Sequence, residues 1–342
     1  MTMNVFPLHF RQRPQAAFHD GFGRNIGYLR ISVVDRCNLR CNYCRPEQGQ
    51  FRALPHEKIL RFEEMERVAR LAIGLGVEKI RITGGEPLVR KGLVGFVERL
   101  SALDGLRDLA LSTNAVLLQQ HAQALYAAGV KRLNISLDTL DAPTFSRLTG
   151  GRLSDVLAGI DAAQSAGFSP IRINAVLMRD TNIEQAAQLI DFCVERQLEL
   201  RFIELMPMRE GMNWQQHYYP VSAFMARPEI IERIDFNVSM PQGNAAARYF
   251  PLRGGSGRIG FIEPMSRHFC AACNRLRLTA DGKLRPCLSA DNETDLRDSL
   301  RDGSSDDDIL RLIRMTAAGK QAASTYVFDE NGRDRSMIAI GG

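Results

Sequence analysis

The feature that most constrains the fold is a β-rich run followed by a helical run, which recurs six times from residue 28 onward. The predicted strands span 28–34, 79–83, 108–112, 132–137, 171–177 and 200–205. The predicted helices lie between them, near 63–75, 92–103, 117–128, 153–166 and 184–196. Strands that alternate with helices predict a parallel sheet with right-handed connections. Six consecutive units favour a barrel-like sheet over an open doubly wound sheet, although periodicity alone leaves both open.

Polar or otherwise unusual residues cluster toward the C-terminal ends of these predicted strands. They are three cysteines after the first strand, residues 84–87 (Gly-Gly-Glu-Pro) after the second, residues 112–114 and Ser136 with Asp138 at the third and fourth, Arg172 and Asn174 on the fifth, and Arg201, Glu204 and Met206 at the sixth. In barrels of βα units, the active site lies at the C-terminal ends of the strands. The pattern therefore predicts a site at that end of the sheet.

The composition excludes several classes of protein. None of the apolar runs in the 342 residues approaches the ~20 that span a bilayer. The net charge of +5 is mild and no block of Lys or Arg occurs, so we expect no nucleic-acid partner. The first 15 residues lack a continuous apolar core, which argues against a signal peptide. We therefore expect a cytoplasmic protein that binds no membrane.

Six of the seven cysteines fall into two groups of three, which favours metal binding over a disulfide framework. The first group, Cys37, Cys41 and Cys44, has the spacing C-x3-C-x2-C in one predicted loop. Three thiolates suit a four-iron cluster with one iron left open. A structural zinc site needs a fourth ligand, and no further cysteine or histidine follows at the spacing of a zinc finger. The seventh cysteine, Cys193, lies in an apolar-periodic helix and is predicted to be a buried core residue.

The second group consists of Cys270, Cys273 and Cys287. His268 precedes it by two residues and can serve as a fourth ligand, so spacing leaves zinc and iron–sulfur equally open here. Between these cysteines, Arg275 and Arg277 flank Leu276 in a predicted strand. Their guanidiniums point to one face and can clamp an anion, and a solvated strand face is the alternative.

Three further patterns have simpler interpretations. Residues 255–260 match a dinucleotide-binding glycine pattern, but they lie between two β-like runs and predict a hairpin turn. The acidic residues 306–308 precede an apolar-periodic segment and predict a helix N-terminus rather than a metal site. The chain ends in Gly341 and Gly342, which indicate either a frayed terminus or a tail slim enough to enter a narrow space.

The C-x3-C-x2-C loop after the first strand, with Tyr43 before its last cysteine and Gly-Gly-Glu-Pro at the second strand end, resembles the radical S-adenosylmethionine superfamily. The resemblance implies that the open iron chelates S-adenosylmethionine and that one electron cleaves it to a 5′-deoxyadenosyl radical. Carried over by position, it implies that Tyr43, Gly85, Ser136 and Met206 line the S-adenosylmethionine site. Glycines also allow a ligand ammonium to approach backbone carbonyls closely.

Within that superfamily, the chain resembles the enzymes that cyclise GTP at the first step of molybdenum cofactor biosynthesis. The motifs are C-x3-C-x2-C, Gly-Gly-Glu-Pro, C-x2-C-x13-C around Arg-x-Arg, and a terminal Gly-Gly. The resemblance covers residues 22–342 and implies an α/β fold, in which an incomplete TIM barrel of six βα units is closed at its mouth by a C-terminal α+β domain. We expect a leader over 1–21, the barrel over 22–235 and the second domain over 236–342.

The same resemblance implies two [4Fe–4S] clusters, the second of which contacts the guanine of GTP. The implied GTP residues are Arg30, Arg81, Ser112, Arg172, Arg275, Leu276 and Arg277, and the implied catalytic groups are Arg275, Arg277, Gly341 and Gly342. The radical would remove the ribose 3′ hydrogen, and attack on C8 would give (8S)-3′,8-cyclo-7,8-dihydroguanosine 5′-triphosphate. Ser112 stands where threonine is usual and Arg172 where lysine is usual, which puts the detailed triphosphate geometry in question.

The implied partners are GTP, a flavodoxin- or ferredoxin-like reductant and a downstream cyclic pyranopterin monophosphate synthase, and a homodimer is the candidate assembly. Two other functions compete with this one. One is a radical S-adenosylmethionine maturase of another kind with an auxiliary cluster. The other is a metal-binding sensor without catalysis, which explains the cysteines but not the polar residues at each strand end.

Overall fold

The computed structural model describes residues 18–45, 52–208, 212–238, 240–241, 246–255, 257–324, 326 and 335–341. Most of the expected leader and the expected catalytic residue Gly342 lie outside these ranges. The six predicted strands are all present: β1 Tyr28–Ser32, β2 Lys79–Thr83, β3 Asp108–Thr113, β4 Arg132–Ser136, β5 Ile171–Leu177 and β6 Glu199–Glu204.

Helices follow the strands as the periodicity predicts, with one addition. They are α1 Phe62–Leu75, α2 Leu93–Ser101, α3 Leu118–Ala127, α4 Ala142–Thr149, α5 Leu153–Ser165 and α6 Ala186–Glu195. The periodicity does not predict helix α4. Asp141 caps the N-terminus of this helix, and its carboxylate accepts the Thr144 N–H at 2.9 Å. An Asp at this position satisfies a backbone donor that the first turn leaves free. Short 3₁₀ turns occur at His56–Lys58, Pro87–Val89, Ile183–Gln185 and Cys270–Ala272.

The C-terminal part of the chain adds shorter elements. Its helices are α7 Trp214–His217, α8 Val221–Met225, α9 Pro228–Ile231, α10 Arg297–Arg301, α11 Asp306–Ala318 and α12 Met337–Ile340. Its strands are β7 Arg248–Pro251, β8 Arg258–Ile262, β9 Arg275–Leu278, β10 Lys283–Arg285 and β11 Thr294–Asp295. Strands β7 and β8 form the hairpin that the glycine pattern predicted, and Ser305 caps α11 at the acidic run, also as predicted.

One sheet of eleven strands organises the molecule, in the order β11-β10-β9-β1-β2-β3-β4-β5-β6-β8-β7. Strands β1 to β6 are sequential parallel neighbours, with β9 added in parallel beside β1 and β8 in parallel beside β6. Because the order runs linearly from β11 to β7, the barrel is incomplete, and the predicted α/β fold with a partial TIM barrel is confirmed. The domain boundary at 235/236 stays a prediction.

The two faces of the sheet have different chemistry because side chains alternate along each strand. Residues such as Leu29, Ile31, Ile80 and Ile82 are fully or almost fully buried against the helices. Cys193 of α6 belongs to this apolar core and has no exposed surface, as predicted. Among the described residues, no helix has the length and apolar character needed to cross a membrane. The opposite face of the sheet carries the polar residues and surrounds the site.

Candidate active site

The inner face of the curved sheet encloses a large cavity of about 1060 Å³. Sixteen of the predicted site residues line it: Cys37, Cys41, Cys44, Cys270, Cys273, Cys287, Tyr43, Gly85, Ser136, Met206, Arg30, Arg81, Ser112, Arg172, Arg275 and Arg277. Leu276 instead points into the apolar core with 1 % exposure, so it can meet the cavity only through its backbone. Residues far apart in sequence therefore converge as the strand alternation predicts.

The first cysteine loop follows β1 and packs directly on the end of β2. The Gly85 N–H donates to the Val34 carbonyl at 2.6 Å, and the Glu86 N–H donates to the Arg36 carbonyl at 2.8 Å. A Cβ atom at Gly85 would lie only 2.3 Å from the Arg36 carbonyl oxygen. No side chain fits in that space, so the glycine is required for the loop to lie against the strand end.

Glu86 joins the same loop to the end of β3. Its carboxylate is 1 % exposed and accepts the Thr113 hydroxyl at 2.8 Å, the Asn114 N–H at 2.7 Å and the Leu88 N–H at 3.1 Å. Burial raises its pKa to about 7, although these three donors oppose the shift. The Asn114 side chain in turn donates to Asn38 at 2.8 Å. The loop is thus held by side chains from two strand ends.

The three thiols of the first loop lie close enough to disfavour one another's ionisation. Burial raises the pKa of Cys37 to about 11 and that of Cys44 to about 12, and it raises the pKa of Cys41 well above its ordinary value. In the described part of the chain, no group of three or more His, Cys, Asp or Glu side chains is arranged to hold a single metal ion. A four-iron cluster separates its ligands more widely, because each cysteine binds a different iron. The donor set fits such a cluster.

Tyr43 is fixed beside these cysteines by a buried acid. Its hydroxyl donates to Asp138 at 2.8 Å, and the other oxygen of Asp138 accepts the Val176 N–H at 2.8 Å. Burial raises the pKa of Asp138 to about 6. The sequence marked Asp138 only as a polar strand-end residue. The structure adds that it holds the aromatic ring at the cavity wall and joins the ends of β4 and β5.

Arginine side chains line the middle of the cavity. Arg30 pairs in register with Arg81 on β2 and with Arg277 on β9, so three guanidiniums lie in one row of the sheet. Burial, and then the charge of Arg277, holds the pKa of Arg30 well below its ordinary value. Tyr28 lies two residues before Arg30, with Arg81 over its ring at 5.6 Å. Buried like charges repel one another, so an anionic ligand would relieve this repulsion.

Sequence reasoning gave no ligand role to several charged residues of the same inner face, including Arg201, which it marked only as a strand-end residue. Arg201 is 9 % exposed, and its guanidinium donates to Asn174 at 3.0 Å and also to Asn134. Gly260 leaves room for it, because a Cβ there would lie 2.8 Å from Arg201 Cγ. Cavity-lining residues that were also missed are Tyr28, Lys79, Asp108, Arg132 and Arg258. The period of two along each strand was the signal that could have found them.

Arg172 has a partner that the sequence did not indicate. Its Nε donates to Glu199 at 2.6 Å, and Arg258 contacts the other oxygen of that carboxylate at 2.7 Å. Asp108 lies in the same way between Lys79 and Arg132. Each acid thus neutralises part of the positive charge at the N-terminal end of the strands. Arg172 reaches the cavity wall as an ion pair rather than as an isolated cation.

The second cysteine group surrounds β9 and β10. The Ser324 N–H donates to the Cys270 sulfur at 3.2 Å, and Cys287 Sγ lies 3.3 Å from the Ser289 hydroxyl. Burial would raise the pKa of Cys273, but the charges of Lys320 and Arg275 outweigh it and hold the pKa below its ordinary value. His268 lines the same cavity. This site is therefore more electropositive than the first one.

The C-terminal tail packs against the ends of β1 and β2 and against Arg277 of β9. The Gly341 carbonyl accepts Arg277 Nη1 at 3.1 Å and the Thr83 hydroxyl at 3.4 Å. Gly341 has φ of +83°, and a Cβ there would lie 2.6 Å from the Ser32 Cβ. Earlier in the tail, Arg335 forms ion pairs with Asp281 at 2.9 Å and with Glu293 at 3.0 Å. The tail is thus seated rather than frayed as far as Gly341.

Comparisons with known proteins agree with this arrangement. The Radical SAM superfamily model matches residues 31–193, and the Molybdenum Cofactor Synthesis C model matches residues 198–326. A GTP 3′,8-cyclase of Thermodesulfovibrio yellowstonii is 46% identical over 304 residues, which cover 87% of this chain and 92% of that protein. GTP 3′,8-cyclase 1 of Pseudomonas aeruginosa is 49% identical over 284 residues, 82% of this chain and 85% of that protein.

The chain belongs to the GTP 3′,8-cyclase family. As a member of this family it is a radical S-adenosylmethionine enzyme of molybdenum cofactor biosynthesis, and its cofactors include S-adenosylmethionine and an iron–sulfur cluster. The crystal structure of Streptococcus suis SuiB bound to S-adenosylmethionine shares the fold, with a TM-score of 0.58 and 17% identity over 92% of this chain and 77% of that one. The resemblance that the sequence motifs indicated is confirmed at the level of the family.

Proposed function

We propose that the enzyme converts GTP to (8S)-3′,8-cyclo-7,8-dihydroguanosine 5′-triphosphate. The observation that carries this proposal is the row of guanidiniums on β9, β1 and β2, which lines the same cavity as both cysteine groups. A triphosphate would supply several negative charges to this positively charged wall, whereas a neutral substrate would supply none. Each charge-assisted hydrogen bond would contribute about 1.5–3 kcal/mol.

The first cysteine group would hold a [4Fe–4S] cluster through Cys37, Cys41 and Cys44, with S-adenosylmethionine on the open iron. The residues assigned to that ligand are Tyr43, Gly85, Ser136 and Met206, all of which line the cavity. The tight packing at Gly85 supports the assignment, because it exposes backbone without a side chain beside the loop. A cluster held by these three cysteines would supply the electron for the reductive cleavage of S-adenosylmethionine, and the proposed reaction would begin with removal of the ribose 3′ hydrogen.

The second cysteine group, Cys270, Cys273 and Cys287, would hold a second [4Fe–4S] cluster that receives the guanine. The triphosphate would then extend toward the N-terminal end of the strands, over the guanidiniums. The residues assigned to GTP are Arg30, Arg81, Ser112, Arg172 and residues 275–277, to which Arg201 is added because it lies buried in the same wall. Arg275 and Arg277 would orient the nucleotide between the two cofactors.

Residues at the tail complete the proposed site. Arg277 donates to the Gly341 carbonyl, so the guanidinium and the tail position each other. Gly341, together with Gly342, would close the cavity and keep water from the radical. The proposed partners are an acidic one-electron carrier of the flavodoxin or ferredoxin type and a downstream cyclic pyranopterin monophosphate synthase that consumes the product.

The decisive experiment is an anaerobic assay of the reconstituted enzyme with GTP, S-adenosylmethionine and dithionite. We expect 5′-deoxyadenosine to form in a GTP-dependent manner together with the cyclised nucleotide, and about eight irons per chain. Formation of 5′-deoxyadenosine without any nucleotide product, at all GTP concentrations, would contradict the proposal.

A substitution tests the substrate site separately. Arg275→Ala is preferable to Arg277→Ala, because Arg277 also holds the tail. We expect Arg275→Ala to weaken GTP binding at least tenfold, from the loss of about 1.5 kcal/mol or more, and to leave S-adenosylmethionine binding unchanged. Arg99→Ala, which removes a surface ion pair with Glu66, is the matched control. Equal GTP affinity in the Arg275→Ala and Arg99→Ala enzymes would refute the assignment.

A further inference from the structure

Lys320 is a buried lysine whose ammonium group lies beside the second cysteine group. It follows the end of α11, is 3 % exposed and lines the cavity. Its Nζ donates to the Arg275 carbonyl at 3.0 Å and to the Pro286 carbonyl at 2.5 Å. A lysine after a helix usually contacts the last carbonyls of that helix. Here both acceptors belong to other segments, so the side chain serves the cysteine site rather than α11.

The two carbonyls belong to the segments that carry two of the cysteines. Arg275 lies two residues after Cys273, and Pro286 immediately precedes Cys287. Strands β9 and β10 pair through Leu284 with Leu278 and through Arg285 with Arg277, and the ladder then stops. Proline has no N–H with which to continue it. The Lys320 ammonium bridges the two strands beyond their last paired residues, and so it joins the segments that carry Cys273 and Cys287.

The charge of Lys320 has no acidic counterpart close by. Within the described residues, no carboxylate lies at ion-pair distance from its ammonium. Burying a cation is costly unless an opposite charge compensates it. A negatively charged metal centre held by Cys273 and Cys287, whose segments carry the two acceptor carbonyls, would supply this compensation.

We propose that Lys320 is the positioning residue of the second metal centre, joining its two ligand-bearing segments and raising its reduction potential through a fixed positive charge. This inference rests on the proposed function, because it requires a cluster at the second cysteine group. A fixed cation next to a cluster stabilises the reduced state, which carries one more negative charge than the oxidised state.

The test uses the full-length chain with Cys37, Cys41 and Cys44 replaced by Ala, so that only the second group can hold a cluster. In this background, Lys320→Met removes the charge and both hydrogen bonds at similar volume, whereas Lys320→Arg keeps a cation. Lys283→Met is the control, because Lys283 lies on the neighbouring β10 and pairs with Asp295 instead. The readouts are iron per chain after anaerobic reconstitution and the midpoint potential from a titration followed by electron paramagnetic resonance.

We expect Lys320→Met either to lower the midpoint potential by at least ~59 mV, a tenfold change in the one-electron equilibrium, or to lose iron that Lys320→Arg restores. Lys283→Met should match the parent chain in both readouts. A Lys320→Met chain with parental iron and potential would overturn the proposal. Equal loss of iron in Lys320→Met and Lys320→Arg would also overturn it, because a packing role would then explain both. If the parent chain itself bound no iron, the second cluster of the proposed function would fail, and the inference with it.

Discussion

The seating of the C-terminal tail gives the sharpest prediction, because Gly341 is constrained in two independent ways. Its φ of +83° is a conformation that costs an L-residue about 1–2 kcal/mol. A methyl group at Gly341 would also lie 2.6 Å from Ser32 Cβ and 2.8 Å from the Thr83 hydroxyl oxygen, so the tail must withdraw. Withdrawal breaks the charge-assisted hydrogen bond from Arg277, which is typically worth about 1.5 kcal/mol or more.

For Gly341→Ala, the backbone strain of about 1–2 kcal/mol and the steric overlap of about 1–3 kcal/mol both destabilise the seated tail, and they sum to about 2 kcal/mol at the lower end. The ratio of seated to withdrawn tail should therefore fall more than tenfold. We expect less cyclised product per 5′-deoxyadenosine formed, with iron content unchanged. The control is Gly303→Ala, since Gly303 has φ of +89° but no atoms within 4 Å of the position that the added methyl group would take. Gly303→Ala has the same kind of backbone strain but lies away from the site, so it should form as much cyclised product per 5′-deoxyadenosine as the parent enzyme. If Gly341→Ala also kept the full ratio, the tail would have no part in coupling radical formation to cyclisation.

Three further predictions concern the tail anchor, the pH dependence of stability and the lone cysteine. Arg335→Ala removes the ion pair with Asp281 and should lower the product yield at unchanged iron content; a normal yield would show that the tail seats without this anchor. Burial raises the pKa of Glu86 from 4.5 to about 7, so its stabilising contribution is full below about pH 4.5 and is lost as the pH rises through about 7. Between about pH 5 and 8, the Glu86→Gln apoprotein should therefore lose less unfolding free energy than the parent apoprotein, by about 3 kcal/mol at most. Urea unfolding at several pH values measures this difference, and parallel pH profiles for the two proteins would disprove the prediction. Cys193→Ala should keep the full iron content whereas Cys273→Ala should lose iron, and iron analysis of both variants decides the point.

Much of the architecture followed from local patterns. The alternation of β-rich and helical runs predicted the six βα units, because each run is decided by neighbouring residues. The period of two along a strand predicted that Arg275 and Arg277 share one face, whereas Arg30 and Arg81 were expected at the site only from the resemblance. The same rule applied to every strand would also have assigned Arg201 and Lys79 to the inner face, where neither had been given a role.

Other parts of the site depend on contacts between distant segments, and no local pattern encodes them. The pairing of Arg172 with Glu199 requires the register between β5 and β6, which sequence does not state. The seating of Gly341 against Ser32 depends on where the whole C-terminal part lies. Lys320 resembles an ordinary lysine after a helix, and its importance appears only when the carbonyls of Arg275 and Pro286 are placed beside it.

The positions of β8 and β9 have a consequence for how this molecule can be divided. Strand β9 covers the free edge of β1, and β8 covers the free edge of β6, so the C-terminal part clasps the six-stranded sheet from both sides. A fragment that ended at residue 235 would present two open parallel edges at once, each ready to pair with another chain. During synthesis, both edges of the six-stranded sheet therefore stay unpaired until residues 258–278 have been made and can pair with them.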